Sequence, residues 1–412
     1  MGRLSGVTSF EDDIRQFAWN GRPTDVETTA ADCDGHRVRV KTFTNEFWTS
    51  KQRAGHSLHE ISYRACFKPQ LVNFFVQRLT EPGDLVYDPF LGRGTTVVEA
   101  ALLDRAATGC DVNPLSRVLT KPRLAPPTLA QVSERLRALD WTSCDSYPED
   151  LTVFFHPETL NRICALRAYL RKLHAEGAMD EVDEWIEMVA VNRLTGHSPG
   201  FFSVYTLPPN QAVSIGSQRK INARREQTPL VRDVVQLIIK KSKSLLRDCG
   251  EATRGQLAAH AAQTQLLVQA SSSTPQIRSA SVRLVVTSPP FLDVVNYASD
   301  NWLRCWFIGL DSSEIGISQL RNVDDWVAAM TAVMRDLRRI VAPGGHVAFE
   351  VGEVRGGKLL LEELVLPAGG EAGLDPVIIM INAQEFTKTA NTWGVDNQKK
   401  GTNTNRIVVF QR

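Results

Sequence analysis

Apolar residues recur along this chain with two periods, one typical of helices and one typical of buried strands. The clearest helical stripe consists of Val323, Trp326, Val327, Met330, Val333, Met334, Leu337 and Ile340. Similar spacing predicts helices over residues 69–79, 157–174, 180–194 and 229–246. Short apolar runs predict buried strands at 85–88, 106–111, 282–287, 346–351, 377–381 and 406–410. Strands that alternate with helices predict an α/β fold with a doubly wound, mostly parallel sheet.

Breaks in this pattern divide the chain into four parts. Residues 1–45 are mixed and polar, so they predict an N-terminal arm or a strand pair. Prolines between residues 114 and 127 mark the exit from the first half of the sheet, and serines 271–273 mark the return to it. We therefore predict an arm (1–45), a first sheet half (46–124), a largely helical insertion (125–280) and a second sheet half (281–412).

Composition sets limits but indicates no function by itself. The 412 residues are 43% hydrophobic and 23% charged, which is ordinary for a soluble globular protein. Seven scattered cysteines without a Cys-x-x-Cys pair favour a reducing compartment and no zinc site, and His56, His59 and Glu60 lack a third metal ligand at a usual spacing. Neither a signal sequence nor a membrane-length apolar run is found. We expect a cytoplasmic, nucleoid-associated protein with no metal and no membrane partner.

Charge is concentrated in one stretch of an otherwise balanced chain. The formal net charge is only +1, so any affinity for nucleic acid must be local. Between Gln211 and Arg247, nine basic residues face two acidic ones, a local charge of +7. The stretch can be a solvated helix face or a surface that contacts several phosphates. On the second interpretation, the DNA-binding candidates are Arg219, Lys220, Arg224 and Arg225.

A glycine-rich loop connects a predicted strand to a predicted helix, and its sequence is Asp88-Pro89-Phe90-Leu91-Gly92-Arg93-Gly94-Thr95-Thr96. This layout places a ligand against the backbone N–H groups of a helix N-terminus. The next strand ends in Asp111, roughly twenty residues on, where ribose hydroxyls are expected. The loop lacks the Lys-Ser/Thr of a P-loop, and Asp88 would repel a pyrophosphate. A cationic adenosine compound such as S-adenosylmethionine fits this acid better.

A second motif, Thr287-Ser288-Pro289-Pro290-Phe291, ends another predicted strand. Two prolines stop the hydrogen-bond ladder and leave the carbonyls of Ser288 and Pro289 free to accept. These acceptors, one hydroxyl and one ring suit a planar group that carries an amino substituent, such as a nucleobase edge. Alone, such a sequence is more often a turn or a polyproline segment.

Together, the two motifs resemble the cofactor and catalytic motifs of the S-adenosylmethionine-dependent DNA amino-methyltransferases, which modify cytosine N4 or adenine N6. Lys68-Pro69 and Pro343-Gly344-Gly345 fit the same pattern, and the similarity covers roughly residues 56–120 and 280–412. The resemblance implies a class I Rossmann-like fold. Residues 46–124 would be the cofactor-binding half, 281–412 the catalytic half, and 125–280 the target-recognition domain.

The resemblance also implies roles for individual residues. The cofactor motif (Asp88, Pro89, Phe90, Gly92, Gly94, Thr95 and Thr96) would hold the methionine part of the cofactor, Asp111 the ribose, and Lys68 and Pro69 would close the pocket. In the catalytic motif (Ser288, Pro289, Pro290 and Phe291), Ser288 and the Pro289 carbonyl would bind the amino group of a flipped-out base, and Phe291 would stack on its ring. Ala270-Ser271 and Arg283 stand where family members often have acids, so the adenine-ring contacts stay unassigned.

The function implied by the resemblance is methylation of cytosine N4 in duplex DNA by base flipping, because a serine preceded by threonine is the form seen mostly in cytosine-N4 enzymes. Adenine-N6 methylation is the main alternative. An RNA methyltransferase and a non-catalytic DNA-binding protein are further alternatives. A cognate restriction endonuclease that acts separately would be an expected partner in a restriction-modification system.

Overall fold

A computed structural model of the protein describes residues 9–33, 36–49, 55–64, 66–142, 146–207, 211–290, 297–312, 322–354, 359–383 and 404–412, and the single residues 292, 315 and 320. Its strands are β1 (Ala18–Trp19), β2 (Arg22–Pro23), β3 (Asp25–Cys33), β4 (His36–Asn45), β5 (Leu85–Asp88), β6 (Ala106–Asp111), β7 (Gln265–Val268), β8 (Val282–Thr287), β9 (Val341–Val351), β10 (Glu353–Val354), β11 (Leu359–Leu360), β12 (Asp375–Ala383) and β13 (Thr404–Gln411).

The α-helices are α1 (Phe10–Gln16), α2 (Pro69–Leu79), α3 (Thr95–Leu102), α4 (Leu115–Leu124), α5 (Leu129–Ala138), α6 (Pro157–Glu176), α7 (Glu181–Val191), α8 (Ile215–Arg225), α9 (Val234–Leu245), α10 (Glu251–Ala261), α11 (Tyr297–Ile308), α12 (Val323–Ile340) and α13 (Glu362–Glu371). Short 3₁₀ helices cover Ser57–His59 and Glu149–Val153. Within the described ranges, none of these helices combines the length and apolarity needed to cross a membrane.

Nine strands form one sheet in the order β3-β4-β12-β13-β9-β8-β5-β6-β7. Strands β9, β8, β5, β6 and β7 run parallel to one another, and β4 runs parallel to β12. Strand β13 is antiparallel to both β12 and β9, and β3 is antiparallel to β4. The predicted α/β fold with a doubly wound, mostly parallel sheet is confirmed.

The central strand β8 shows why the sheet carries helices on both faces. Successive side chains of a strand point to opposite faces. Leu284 and Val286 therefore pack in the apolar cluster that includes Phe75 of α2, while Val285 packs in the cluster that includes Trp326 of α12. All are essentially inaccessible to solvent, and full burial of one such aliphatic side chain contributes about 1.5–3 kcal/mol. The strand is thus fixed from two sides up to its last residue.

The helices between β6 and β7 form a layer that packs beside α11. Arg167 and Arg171 of α6 donate to the carbonyls of Trp306 (2.9 Å) and Ile308 (2.6 Å). The ring of Phe154, which precedes α6, lies 6.1 Å from the ring of Trp302. These contacts hold α11 against α6.

Some predicted elements differ from those observed, each for a local reason. Residues 215–225 were expected in a loop but form α8, which the Ser214 hydroxyl caps; this helix has almost no apolar stripe from which to predict it. Helix α9 begins at Val234 and not at 229, because Asp233 caps it and Leu230 and Val231 remain exposed. Pro343-Gly344-Gly345 lies inside β9 and not before it, since Gly344 and Gly345 exchange backbone hydrogen bonds with Arg412.

Candidate active site

Both sequence motifs reach the same edge of the sheet. Asp88 is the last residue of β5, Asp111 the last of β6 and Thr287 the last of β8. Because β8, β5 and β6 are adjacent and parallel, their carboxyl ends meet at one edge, where α/β proteins bind ligands. The order of the strands thus brings residues 88–96 beside residues 287–290.

Two glycines shape the loop between β5 and α3. Gly94 caps α3 in the left-handed region (φ 73°), and a Cβ added there would lie 2.2 Å from Thr120 Oγ1. Gly92 also has a positive φ (50°), and its N–H donates to Asp111 Oδ2 at 2.8 Å. Thr95 and Thr96 begin α3 and are buried. The loop therefore needs glycine at both positions and packs tightly against the neighbouring strand end.

Asp88 has one satisfied and one unsatisfied carboxyl oxygen. Its Oδ1 accepts from Thr287 Oγ1 at 2.6 Å and from the Phe90 N–H at 3.0 Å. Its Oδ2 is buried and has no hydrogen-bond partner among the described residues. Burial raises the pKa of Asp88 to about 7, against the effect of these hydrogen bonds. An orphaned carboxyl oxygen beside the glycine loop fits the ammonium group of S-adenosylmethionine.

Asp111 lies at the end of the next strand, where the ribose contact was predicted. Its Oδ1 accepts from the Asn113 N–H and its Oδ2 from the Gly92 N–H, at 2.9 and 2.8 Å. Burial raises the pKa of Asp111. Each carboxylate oxygen has a second lone pair, so acceptance from a ribose hydroxyl is compatible with these bonds. The ribose role stays a prediction.

Two apolar side chains that the sequence did not indicate are exposed at this edge. Val112 follows Asp111 and is 36% exposed, and Val268 ends β7 and is 44% exposed. Val268 is the register partner of Asp111 in the β6–β7 pair. Both side chains are therefore accessible at the edge where the sequence left the adenine-ring contacts unassigned. Two exposed valines form no sequence motif, so the sequence did not indicate them.

Buried arginines tie the segment before α2 to the glycine loop. Arg93 donates to the carbonyls of Ile61 at 2.9 Å and Phe67 at 3.2 Å, and the Arg123 guanidinium donates to the Arg93 carbonyl. Lys68 is half-buried, with its pKa lowered by burial and by Arg93, and Pro69 is buried at the first turn of α2. The structure therefore holds Lys68-Pro69 next to the predicted cofactor loop.

Ser288 follows β8 and lies close enough to a buried acid, Glu350, to lower its pKa. The β8–β9 register pairs Thr287 with Phe349, which brings the next residues, Ser288 and Glu350, side by side. The Asn405 amide at the start of β13 also donates to Glu350 Oε1. Burial raises the pKa of Glu350 to about 7, although both contacts lower it. Sequence reasoning missed Glu350 and Asn405; an acid inside the apolar run of β9 was the available signal.

The two prolines of the catalytic motif are anchored differently. Pro289 is buried, and the carbonyl of Pro290 accepts from the Trp326 indole at 2.9 Å. The Pro290 carbonyl therefore already has a hydrogen-bond partner in the protein. The same bond fixes the loop to α12. Phe291, the predicted stacking residue, lies outside the described residues.

The four predicted DNA-binding residues all lie on α8 and are exposed. Arg219 pairs with Asp150 at 2.6 Å, and the Arg225 guanidinium lies 3.7 Å from the centre of the Tyr205 ring. Lys220 and Arg224 form no ion pair with any residue in the described part of the chain.

The chain just before α8 packs on α11, the first helix after the catalytic motif. The Ala212 N–H donates to the Asp300 carbonyl at 2.9 Å, and the Trp302 indole donates to the Val213 carbonyl at 3.1 Å. Arg64, from the segment that covers the glycine loop, pairs with Asp300 at 2.7 Å. The start of α8 is therefore linked through α11 to the segment before the glycine loop and to the chain after the catalytic motif. The four basic residues of α8 do not lie among the residues around Asp88 and Asp111.

Comparison with known proteins gives a family match for part of the chain. Residues 19–116 match the family model described as DNA methylase, and this range contains Lys68, Pro69, residues 88–96 and Asp111. The type II methyltransferase M.BsoBI of Geobacillus stearothermophilus is 20% identical over 313 residues, which are 67% of this chain and 57% of that protein. The type II methyltransferase M.MjaII of Methanocaldococcus jannaschii is 35% identical over 77 residues, 18% of this chain and 14% of the relative.

Among solved structures, the rRNA methyltransferase aviRa of Streptomyces viridochromogenes is 12% identical, with a TM-score of 0.35, covering 87% of this chain and 90% of that one. The chain spans less than two thirds of the length of the two curated relatives. The predicted resemblance to the S-adenosylmethionine-dependent DNA amino-methyltransferases, with S-adenosylmethionine as cofactor, is confirmed by the family match and these curated relatives.

Proposed function

We propose that this protein transfers a methyl group from S-adenosylmethionine to the N4 amino group of a flipped-out cytosine in duplex DNA. The observation that supports this most directly is the 2.6 Å hydrogen bond between Thr287 Oγ1 and Asp88 Oδ1. It joins the end of the catalytic strand to the acid of the cofactor loop. A base held at Ser288 would therefore lie beside a cofactor held at Asp88, as direct transfer requires.

On the cofactor side, the chain supplies a cation site and a closed pocket. Asp88 Oδ2 would accept from the ammonium group, and the loop from Pro89 through Thr96 would surround the methionine part. Asp111 would accept from the ribose, with Val112 and Val268 against the adenine ring. Lys68 and Pro69 would close the pocket above the loop. When bound, the cofactor supplies a methyl group activated by a sulfonium charge.

On the base side, Ser288 and the Pro289 carbonyl would hold the amino group and Phe291 would stack on the ring. An aromatic amine is a weak nucleophile because its lone pair is delocalised into the ring. Acceptors outside the ring plane favour localisation of that pair on the nitrogen. As the nitrogen–carbon bond forms and the carbon–sulfur bond breaks, the amine must lose a proton. The Ser288 hydroxyl could accept it while passing its own proton to Glu350, which has a suitable pKa.

For DNA binding, we propose the surface formed by Arg219, Lys220, Arg224 and Arg225, within an insertion (125–280) that recognises the target. The pair between Arg219 and Asp150 is exposed, so it is worth only about 0–1 kcal/mol and would yield to a phosphate. Leu230 and Val231, just beyond α8, are 62% and 51% exposed, and would add apolar contacts with DNA.

A protein that methylates duplex DNA would work in the cytoplasm in association with the nucleoid. We also propose a cognate endonuclease that acts separately as its partner.

The test is to incubate the purified chain with labelled S-adenosylmethionine and duplex DNA, digest the DNA and identify the labelled nucleoside. We expect N4-methylcytosine. N6-methyladenine alone would replace the cytosine assignment by the alternative, and equal labelling of RNA would favour an RNA methyltransferase. Binding of DNA and cofactor without transfer would indicate a non-catalytic DNA-binding protein.

The Ser288→Ala variant tests the assigned base contact. We expect unchanged affinity for S-adenosylmethionine and a loss in kcat of about a hundredfold or more, because one acceptor that acts on the amine is removed. Cofactor titration and single-turnover transfer to DNA separate the two effects. Undiminished transfer would exclude Ser288 from the reaction.

A further inference from the structure

Two buried hydroxyls connect the cofactor motif to the strand that carries the catalytic motif. Thr287 Oγ1 donates to Asp88 Oδ1 at 2.6 Å, and Thr96 Oγ1 donates to the Val286 carbonyl at 2.9 Å. Both threonines are completely inaccessible to solvent. The partners of Thr287 and Thr96 are 199 and 190 residues away in the sequence. The two motifs are thus joined by direct bonds and not only by adjacent strands.

The hydroxyl of Thr287 is not explained by packing. The preceding residues of β8 are Leu284, Val285 and Val286, all fully buried, and valine has the same branched shape as threonine without a polar atom. A buried hydroxyl is unfavourable unless it has a hydrogen-bond partner. Its partner is Asp88, so the hydroxyl has a use only in relation to that carboxyl.

The bonds to Asp88 are asymmetric. Thr287 and the Phe90 N–H both donate to Oδ1, whereas Oδ2 is buried without a partner among the described residues. Thr96 lies beside the same carboxyl, but its one hydroxyl proton is donated to the Val286 carbonyl. The carboxyl is therefore fixed through one oxygen, and the other oxygen remains for a ligand.

We propose that Thr287 is a positioning residue for the cofactor: its hydroxyl fixes the Asp88 carboxyl so that Oδ2 can accept from the cofactor's ammonium group. Ser288 is the next residue in the chain, so the same bond links the occupied cofactor site to the position of the base contact. This second part rests on the proposed function, whereas the first requires only cofactor binding.

The proposed role of Thr287 predicts a specific dependence of cofactor affinity on pH, which we call its pH signature. Burial raises the pKa of Asp88 to about 7; the donors from Thr287 and Phe90 and the nearby Thr96 hydroxyl act to lower it, and the charge of Asp111 raises it. Cys66 and Tyr87 also lie close enough to interact with this carboxyl. The ionised form binds an ammonium group, so affinity falls as pH falls through this pKa. Loss of the Thr287 donor should move that midpoint upward.

The experiment measures S-adenosylmethionine binding by calorimetry on the full chain, below and above neutral pH. For Thr287→Val we expect about a tenfold weaker affinity at neutral pH and a higher pH midpoint. Thr287→Ser, which keeps the hydroxyl, should restore both. Thr42→Val removes a buried strand hydroxyl at the far side of the same sheet, bonded to Thr29, and should change neither. If Thr287→Val does not fold, Thr287→Ala carries the same test.

A second probe separates positioning from general damage. Methylthioadenosine lacks the amino-acid part of the cofactor, so its affinity should be the same in Thr287→Val and in the unaltered protein. Equal weakening of both ligands, or an unchanged affinity and midpoint for S-adenosylmethionine, would overturn the proposal. Failure of DNA methylation in a protein that still shows this pH signature would instead count against the proposed function alone.

Discussion

Asp88 and Glu350 are buried carboxyls at the same edge of the sheet, each with a pKa raised to about 7 by burial, but their contacts differ. Asp88 is fixed through one oxygen and leaves the other without a partner in the described structure. Glu350 accepts from the Asn405 amide and lies close enough to the Ser288 hydroxyl for Ser288 to lower its pKa. The first arrangement suits a ligand that brings a positive charge. The second suits a group that exchanges a proton through a neighbouring hydroxyl.

The largest expected effect is on stability, because both acids resist ionisation in the folded state. A carboxyl with a raised pKa stabilises the fold most at low pH, and this contribution is lost as pH rises through the folded-state pKa. For Asp88, a rise from 3.8 to about 7 corresponds to about 4 kcal/mol at most. Denaturant unfolding at a series of pH values should therefore show stability that falls as pH rises from about 4 to about 7 and levels off above it.

The cofactor distinguishes the two acids in that same measurement. Saturating S-adenosylmethionine should remove the part of the slope due to Asp88 and leave the part due to Glu350. Asp88→Asn should remove the first part without the cofactor, and Glu350→Gln the second. Identical slopes of stability against pH in the unaltered protein and in the two variants would mean that neither carboxyl is neutral in the fold.

The Asp88→Asn variant tests the cation site directly. An amide cannot provide a charged acceptor for the ammonium group, so we expect affinity for S-adenosylmethionine to fall by about a hundredfold. Methylthioadenosine should bind as before. Calorimetry with both ligands checks this, and a comparable loss for both would show that Asp88 shapes the loop and does not contact the amino-acid part.

Glu350→Gln should act on turnover and not on cofactor affinity. We expect kcat to fall by about tenfold, less than the roughly hundredfold or more that is usual for a proton acceptor, because the proton can leave after the nitrogen–carbon bond has formed. In the unaltered protein, kcat should fall as pH decreases through about 7, since only ionised Glu350 accepts a proton. That acidic limb should be absent from the pH–rate profile of the variant. If the limb persists, another group accepts the proton.

The difference between the two acids also shows what the sequence could predict. Asp88 precedes a glycine loop between a strand and a helix, and this local order is readable from neighbouring residues. Glu350 lies next to Ser288 only because β8 and β9 pair in one register, which no local pattern specifies. The Thr287–Asp88 bond spans 199 residues for the same reason. The places of the two motifs in the order of strands and helices were therefore predictable from the sequence. The residues that contact the motifs across the sheet were not.

Elements of the fold were likewise predictable where a local pattern specified them and not where distant contacts did. Helix α12 has a continuous apolar stripe, and its predicted bounds, 323–340, agree with the structure. Helix α8 has few apolar side chains and is stabilised by its Ser214 cap and by the Gln218 and Asn222 amides, so the pattern predicted a loop there. Strands β3 and β4 extend the sheet beyond β12, a position that their polar sequence did not indicate.

The smallest expected effects belong to the basic residues of α8, which lie apart from the two acids. Lys220→Ala or Arg224→Ala should weaken duplex DNA binding by a few fold, and each should reduce the slope of log affinity against log salt by about 1, because one phosphate contact and its released counterion are lost. Cofactor affinity should not change. Lys172→Ala, at an exposed lysine on α6, is the matched control. DNA titrations at several salt concentrations test this prediction. A slope that is unchanged in both α8 variants would mean that this helix faces solvent and does not contact DNA. A slope reduced equally in the control would mean that charge acts only at long range.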